Sequence, residues 1–202
     1  MGWEVLRRDR VDCDGMSKSM LLYVFFALLL IAGQALILYF FGQPIIAASG
    51  QVKLWEGVVL SAGNSQHLSD WYTYSHIIHG FIFYLGLWYF FPRMSVGMRF
   101  VCAMGIEIAW EIIENTPMVI EHYRQQALAQ GYTGDSVINS VSDIVAMIFG
   151  FIMAWRLPIW MVISFGVALE VFVVYMIRDN LTLNVLNLMY QFPAIEAWQS
   201  SG

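Results

Sequence analysis

The chain has 202 residues, of which 59% are hydrophobic and 12% charged, and its net charge is −5. Soluble domains carry about 25% charged residues, so this composition points to a membrane protein, and the negative balance excludes a nucleic-acid binder. Cys13 and Cys102 supply neither a disulfide framework nor metal-type spacing.

Residues 1–19 are polar and basic, with Arg7, Arg8, Arg10 and Lys18, and read as a cytoplasmic N-terminal segment. Met16 stands just ahead of the first apolar run, so residues 1–15 read either as an extension or as a misassigned start. Met20 to Phe41 is uncharged and long enough to cross a bilayer, which takes roughly 20 apolar residues. It is too long for the apolar core of a signal peptide. Gly42 to Trp71 is a mixed loop, and Tyr72 to Phe91 is a second span that carries His76 and His79. After the basic turn Pro92 to Arg99, Phe100 to about Val119 forms a third span. Its Glu107, Glu111 and Glu114 recur at i, i+4 and i+7, one stripe of a helix.

Glu121 to Asp135 is a second polar loop, with Asp135 expected to cap the next helix. Ser136 to Trp155 and Ile159 to Ile177 are spans four and five. Residues 178–202 remain apolar but striped, with Asn180, Asn184, Asn187 and Gln191 on one helical face. Leu181 to Phe192 is too short to span and reads as an interfacial or re-entrant helix, anchored by Trp198. The expected architecture is all-α: a polytopic membrane helical bundle of about five transmembrane helices, in one membrane domain over residues 20–177. Seven basic residues fall on the N-terminal side of such a bundle against three, Lys53, Arg124 and Arg178, on the other. The positive-inside rule then puts the N-terminus in the cytoplasm and the C-terminus in the periplasm of a bacterial inner membrane.

Counted inward from the outer span ends, Glu111 lies about 9 Å deep, His79, Glu170 and Gln34 about 10 Å, and Asp143 about 12 Å. Agreement across five segments predicts a polar chamber open to the periplasmic side. Glu107 falls deeper and reads as a protonated carboxyl. A single polar residue in a span is often a plain interhelical hydrogen bond worth about 0.6 kcal/mol, and that reading suits Gln34 and Ser140. A group of carboxylates is different, because several in a low-dielectric site cannot all ionise unless something positive joins them. Protons, an arginine such as Arg178 or Arg124, or a metal ion would serve. His79, Glu111 and Asp143 are the expected metal ligands or acid–base groups, with a divalent ion of open identity. His76, Glu114 and Asn139 are expected to orient them. Arg178, beside Asp179, is expected to hold a phosphate or carboxylate headgroup. No HExxH, CxxC, P-loop, GxGxxG or GxSxG occurs. Gly80, Gly86, Gly150 and Gly166 read as helix-packing positions.

Five motifs carry a resemblance: His67-Leu68-Ser69-Asp70-Trp71-Tyr72, Ser75-His76-Ile77-Ile78-His79-Gly80, Trp110-Glu111-Ile112-Ile113-Glu114-Asn115, the run from Gly134 to Asp143, and the run from Ile177 to Asn184. Together they resemble an uncharacterised family of bacterial multi-pass inner-membrane proteins, defined by a domain of unknown function, over about residues 50–200. More loosely, the order His-x-x-x-Gly, Glu-x-x-Glu and Asp followed eight residues later by Asp looks like VanZ-type membrane proteins, which implies only a shared helical-bundle plan. Three functions fit the residues: a membrane enzyme, metal-assisted or acid–base, acting on a lipid or envelope substrate; a non-catalytic accessory or assembly subunit; and a proton- or cation-coupled transporter. The third ranks last, because neither repeated halves nor a polar path from the cytoplasmic side is visible.

Overall fold

Apolar runs broken by proline, glycine and polar loops produce an all-helical chain. The structure is a computed structural model and describes residues 16–201, with side chains from Leu21 onward. The basic segment with Arg7, Arg8 and Arg10 lies outside the described residues, as does the side chain of Lys18. The helices are α1 (Met16–Phe40), α2 (Thr73–Phe90), α3 (Val96–Glu114), α4 (Pro117–Arg124), α5 (Val137–Arg156), α6 (Ile159–Ile177), α7 (Leu181–Met189) and α8 (Pro193–Ser200). No strand occurs among the described residues. Leu21–Phe40 of α1, together with α5 and α6, is long and apolar enough to cross a membrane. α2 and α3, at 18 and 19 residues, are comparable in length but carry the histidines and glutamates.

Local chemistry explains where the helices start and stop. Ser95 caps α3 by accepting from the Met98 amide at 3.2 Å, and Asn180 caps α7 by accepting from Leu183 at 2.9 Å. Ser136 caps α5, accepting from Asn139 at 3.3 Å; the cap expected at Asp135 thus falls one residue later, which frees that carboxylate for other partners. The third helix stops at Glu114 rather than near Val119. Pro117 has no N–H to continue the ladder and keeps Thr116 extended, so it opens the short helix α4 instead. Pro193 likewise divides the C-terminal segment into α7 and α8.

α2 packs most closely on α5, and α1 on α3. The α2–α5 contact is backbone to backbone. A Cβ on Gly80 would collide with the Met147 carbonyl and the Gly150 backbone, and one on Gly150 with the Ile77 carbonyl. Gly86 and Gly166 do not share this role: nothing lies within 4 Å of a Cβ on the first, and only the Phe81 ring, at 3.7 Å, meets one on the second. Below the polar cluster, Phe81, Met104, Ile144, Met147 and Phe151 form the apolar core. Above it, loops clamp the start of α5, where Ser136 donates to the Ser65 carbonyl at 2.9 Å and Val137 to the Pro44 carbonyl at 2.8 Å. The result is an α2–α3–α5 trio whose histidines, glutamates and aspartate all lie toward the loop-covered end.

Candidate functional site

His76 is the centre of the site, because from α2 it meets carboxylates of both α3 and α5. Its Nδ1 lies 2.6 Å from Glu107 Oε1 and 3.4 Å from Glu111 Oε1, and its Nε2 lies 3.9 Å from Asp143 Oδ2. One helical turn deeper, His79 Nδ1 lies 3.0 Å from the other Glu107 oxygen. Glu107 therefore bridges two imidazoles, one per oxygen. An ionised carboxylate only accepts hydrogen bonds, so with Glu107 ionised both Nδ1 atoms donate to it, and in a neutral ring the Nε2 atom keeps its lone pair. Ser140 donates to Glu111 Oε2, and Gln34 donates in turn to Ser140. Glu111 Oε1 has no hydrogen-bond partner, although the residue is 1% exposed.

Two sets of side chains in this cluster can each hold a metal ion: His76, His79 and Glu107, and His76, Glu111 and Asp143. The three expected ligands are thus all in the cluster, but His76 is the imidazole placed between Glu111 and Asp143, while His79 faces Glu107. Glu107, read from depth as lying outside the shared layer, is fully buried at the cluster's heart. Its signal was the phase of the sequence: two residues one turn apart on α2 face two residues one turn apart on α3.

Above His76 and Asp143 a polar cavity of about 40 Å³ opens beneath the loops, lined also by Glu114, Asp135 and Asp179. That is room for water, which needs about 10–15 Å³ on this measure. Its walls are tied by hydrogen bonds. Asp70 Oδ1 accepts from the Tyr72 amide at 2.8 Å and Oδ2 from Ser65 at 3.0 Å. Thr73 Oγ1 accepts from the Asp70 amide at 3.1 Å and lies 3.4 Å from Asp143 Oδ1. Asn115 donates to Asp135 Oδ2 at 2.7 Å, and Tyr132 to Oδ1 at 2.8 Å. Tyr72 donates to Asp179 Oδ2 at 3.1 Å. Burial raises the Asp70 and Asp135 carboxyls above the usual carboxylate range, against the donors that face them. It pushes Asp179 up to about 6.

Asn139 and Arg178 serve elsewhere. Asn139 donates to the His67 carbonyl at 2.8 Å and so pins the 42–72 loop. Arg178, left-handed at φ 58°, ends α6 and donates to the Trp198 carbonyl at 2.8 Å and to Ser201 Oγ at 2.7 Å. Arg124 donates to the Tyr132 carbonyl at 2.6 Å. Among the described residues no Lys or Arg pairs with a cluster carboxylate, whose ion-pair contacts are all with histidine. Lys53 instead meets Glu56 at 2.6 Å in the loop, and that contact holds the Glu56 carboxyl below the usual range.

A family model described as "Protein of unknown function (DUF2585)" matches residues 38–201. A UPF0314 protein of Sinorhizobium fredii is 48% identical over 188 residues, covering 93% of this chain and 95% of its own. A UPF0314 protein of Sphingopyxis alaskensis is 49% identical over 173 residues, covering 86% of this chain and 92% of its own. Another from Rhizobium etli is 50% identical over 162 residues, covering 80% and 83%. These relatives add nothing to the looser VanZ-type likeness. No solved structure matches.

Proposed function

The chain belongs to the UPF0314 family of proteins of unknown function, and from its polar cluster we propose that it is a membrane-embedded, metal-dependent enzyme acting on a lipid or envelope substrate. The observation that carries this reading is the meeting of His76, Asp143 and Glu111, whose buried Oε1 accepts no hydrogen bond, with no Lys or Arg among the described residues to balance the carboxylates. A divalent ion held by these three supplies the missing positive charge. It would also polarise a substrate oxygen or activate a water, and the cavity over His76 and Asp143 has space for either. Glu107 fixes the tautomer and tilt of both imidazoles, as carboxylates behind metal-bound histidines do. Glu114, Asp179 and Tyr72 line the approach, where a polar headgroup would sit.

Five spans complete the proposal. α2 and α3 are about 27 Å and 28 Å long, close to the roughly 30 Å hydrocarbon thickness, and they turn their charged groups inward. The seven-to-three excess of basic residues on the N-terminal side favours a cytoplasmic N-terminus, an inner-membrane location and a chamber that opens to the periplasm. Elemental analysis of detergent-purified protein tests the central claim. The expected result is a stoichiometric divalent ion in the wild type that is lost in Asp143→Ala and Glu111→Ala. A folded wild-type protein that takes up no Zn²⁺, Mn²⁺, Fe²⁺ or Mg²⁺ on titration would overturn it.

A further inference from the structure

A second concavity lies on the other side of α2. It is a groove of about 590 Å³ between α2 and α6, floored by apolar side chains such as Ile78, Phe81, Ile82, Val162 and Val167. That volume falls in the range of about 300–1,000 Å³ typical of small-molecule sites. The groove exists because α6 stands off from the α2–α5 pair and because Gly166 puts no side chain into it. α6 is one of the membrane-crossing candidates and is largely uncovered by protein, so the groove opens sideways toward the acyl region of a bilayer.

Its polarity is asymmetric. Polar groups line it only at one end, where Glu170, Asn180 and Thr182 meet. Glu170 Oε1 accepts from the Leu181 amide at 3.1 Å, and Oε2 accepts from the Thr182 amide at 3.1 Å and its hydroxyl at 2.5 Å. This carboxylate thereby caps the start of α7 from within the span. The same short stretch faces both spaces: Asn180, Thr182 and Leu183 line the groove, while Asp179 and Asn184 line the polar cavity. One turn of α7 is thus the partition between an apolar groove and the site. A channel that is apolar along its length and polar where it nears the cavity has the chemistry of an amphiphile.

We propose that the α2–α6 groove holds an acyl chain of a membrane lipid whose headgroup lies at the Asp179–Asn184 partition, which makes a lipid the substrate of the site. The step from bound lipid to substrate rests on the enzyme reading given above; the lipid site itself does not. The test is photolabelling in nanodiscs with a trace of phosphatidylethanolamine carrying a mid-chain diazirine, mapped by peptide mass spectrometry. Ile82, Ile163 and Val167 are 53%, 55% and 59% exposed, and Phe25 and Leu29 on α1 are 60% and 56% exposed, so bulk lipid reaches both sets equally. Labelling of the groove residues is expected to exceed that of the α1 residues several-fold. Gly166→Phe should bring it down to the α1 level, and Gly166→Ala should leave it high. Equal labelling of the two sets in the wild type overturns the proposal whether or not Gly166→Phe folds, as does groove labelling that persists in a folded Gly166→Phe. Metal content of the same samples separates the two claims: groove labelling on a protein that binds no ion leaves the lipid site standing and removes the enzyme.

Discussion

Replacing Glu107 by glutamine tests the centre of the site without changing its volume. The carboxylate accepts from two imidazole Nδ1 atoms, at 2.6 Å and 3.0 Å, and is 0% exposed. A side-chain amide offers one acceptor and one donor in the same place, so one ring is left with N–H facing N–H. That ring escapes by moving its proton to Nε2. For His76 this is the nitrogen directed at Asp143, and protonation there blocks coordination. Each hydrogen bond to the charged carboxylate is worth about 1.5–3 kcal/mol. Loss of such a partner behind a metal-bound histidine costs about 10–100-fold in affinity, which is about 1.4–2.7 kcal/mol. Calorimetric titration of Zn²⁺ and Mn²⁺ into metal-free protein measures it, with circular dichroism to confirm the helices. Glu107→Gln is expected to bind in the same stoichiometry with the weaker constant. Wild-type affinity would refute the orienting role, and complete loss, as expected for Asp143→Ala, would make Glu107 a ligand.

Other substitutions probe the frame and the cavity. Gly150→Ala drives a Cβ into the Ile77 carbonyl and is expected to cost about 1–3 kcal/mol by overpacking, seen as a lower melting temperature together with weaker metal binding. Gly86→Ala meets open space and should instead stabilise by about 0.5–1 kcal/mol in the same melts. Asp179 is shifted from 3.8 to about 6, so it holds its proton more tightly in the folded state. The fold then loses stability as pH rises through that window, by about 3 kcal/mol in all. Asp179→Asn removes that loss, so the drop in melting temperature between pH 4.5 and 7.5 should shrink; an unchanged drop would show that Asp179 is not the group responsible. Arg178→Gln frees the Trp198 carbonyl and Ser201 and should raise protease sensitivity at α8 while leaving metal content intact. Loss of the ion in that variant would place the guanidinium in the site after all.

The long helices were legible because apolar runs of nearly twenty residues admit few other structures in lipid. The break before Pro193 was legible, since proline restricts its predecessor as well as itself and the Leu181 to Phe192 segment stops there, whereas the one at Pro117 was masked by a continuing apolar run. The site was half legible. Depth along each span brings Glu111, Asp143 and His79 to one level, because that coordinate follows from residue count alone. Which histidine faces which carboxylate depends on rotation about each helix axis, and that is set by the Gly80–Gly150 contact between α2 and α5. Glu107 shows the difference: counted for depth it falls outside the layer, yet its side chain reaches both His76 and His79. Asp70 and Tyr72 belong to the loop, and no periodicity in a loop reports that Tyr72 will meet Asp179 from over a hundred residues away.

The two sides of the site are built to different standards of rigidity, and this bears on how anything enters it. On the α2–α3–α5 side, histidines and carboxylates sit on packed helices, of which α2 and α5 touch backbone to backbone, with Gln34 and Ser140 locking Glu111 from behind. On the α6–α7 side, the wall is a nine-residue helix held at its start by Glu170 and Asn180 and farther along by the Tyr123 contact to Asn184 at 3.0 Å and the His122 contact to the Asn187 carbonyl at 3.1 Å. A short helix with few buried residues opens at lower cost than the core trio. Catalytic geometry needs the first kind of wall, whereas admission of a bulky amphiphile from the bilayer needs the second. The glutamate at 170 then acts as a latch: Glu170→Ala leaves the first two amides of α7 without their acceptor. In the photolabelling experiment it should extend labelling from the groove onto Asn184, on the cavity side of α7, and onto the buried Tyr123 that it meets. Labelling confined to the groove in that variant would mean that α7 is a fixed wall and that the chamber is reached only through the loops.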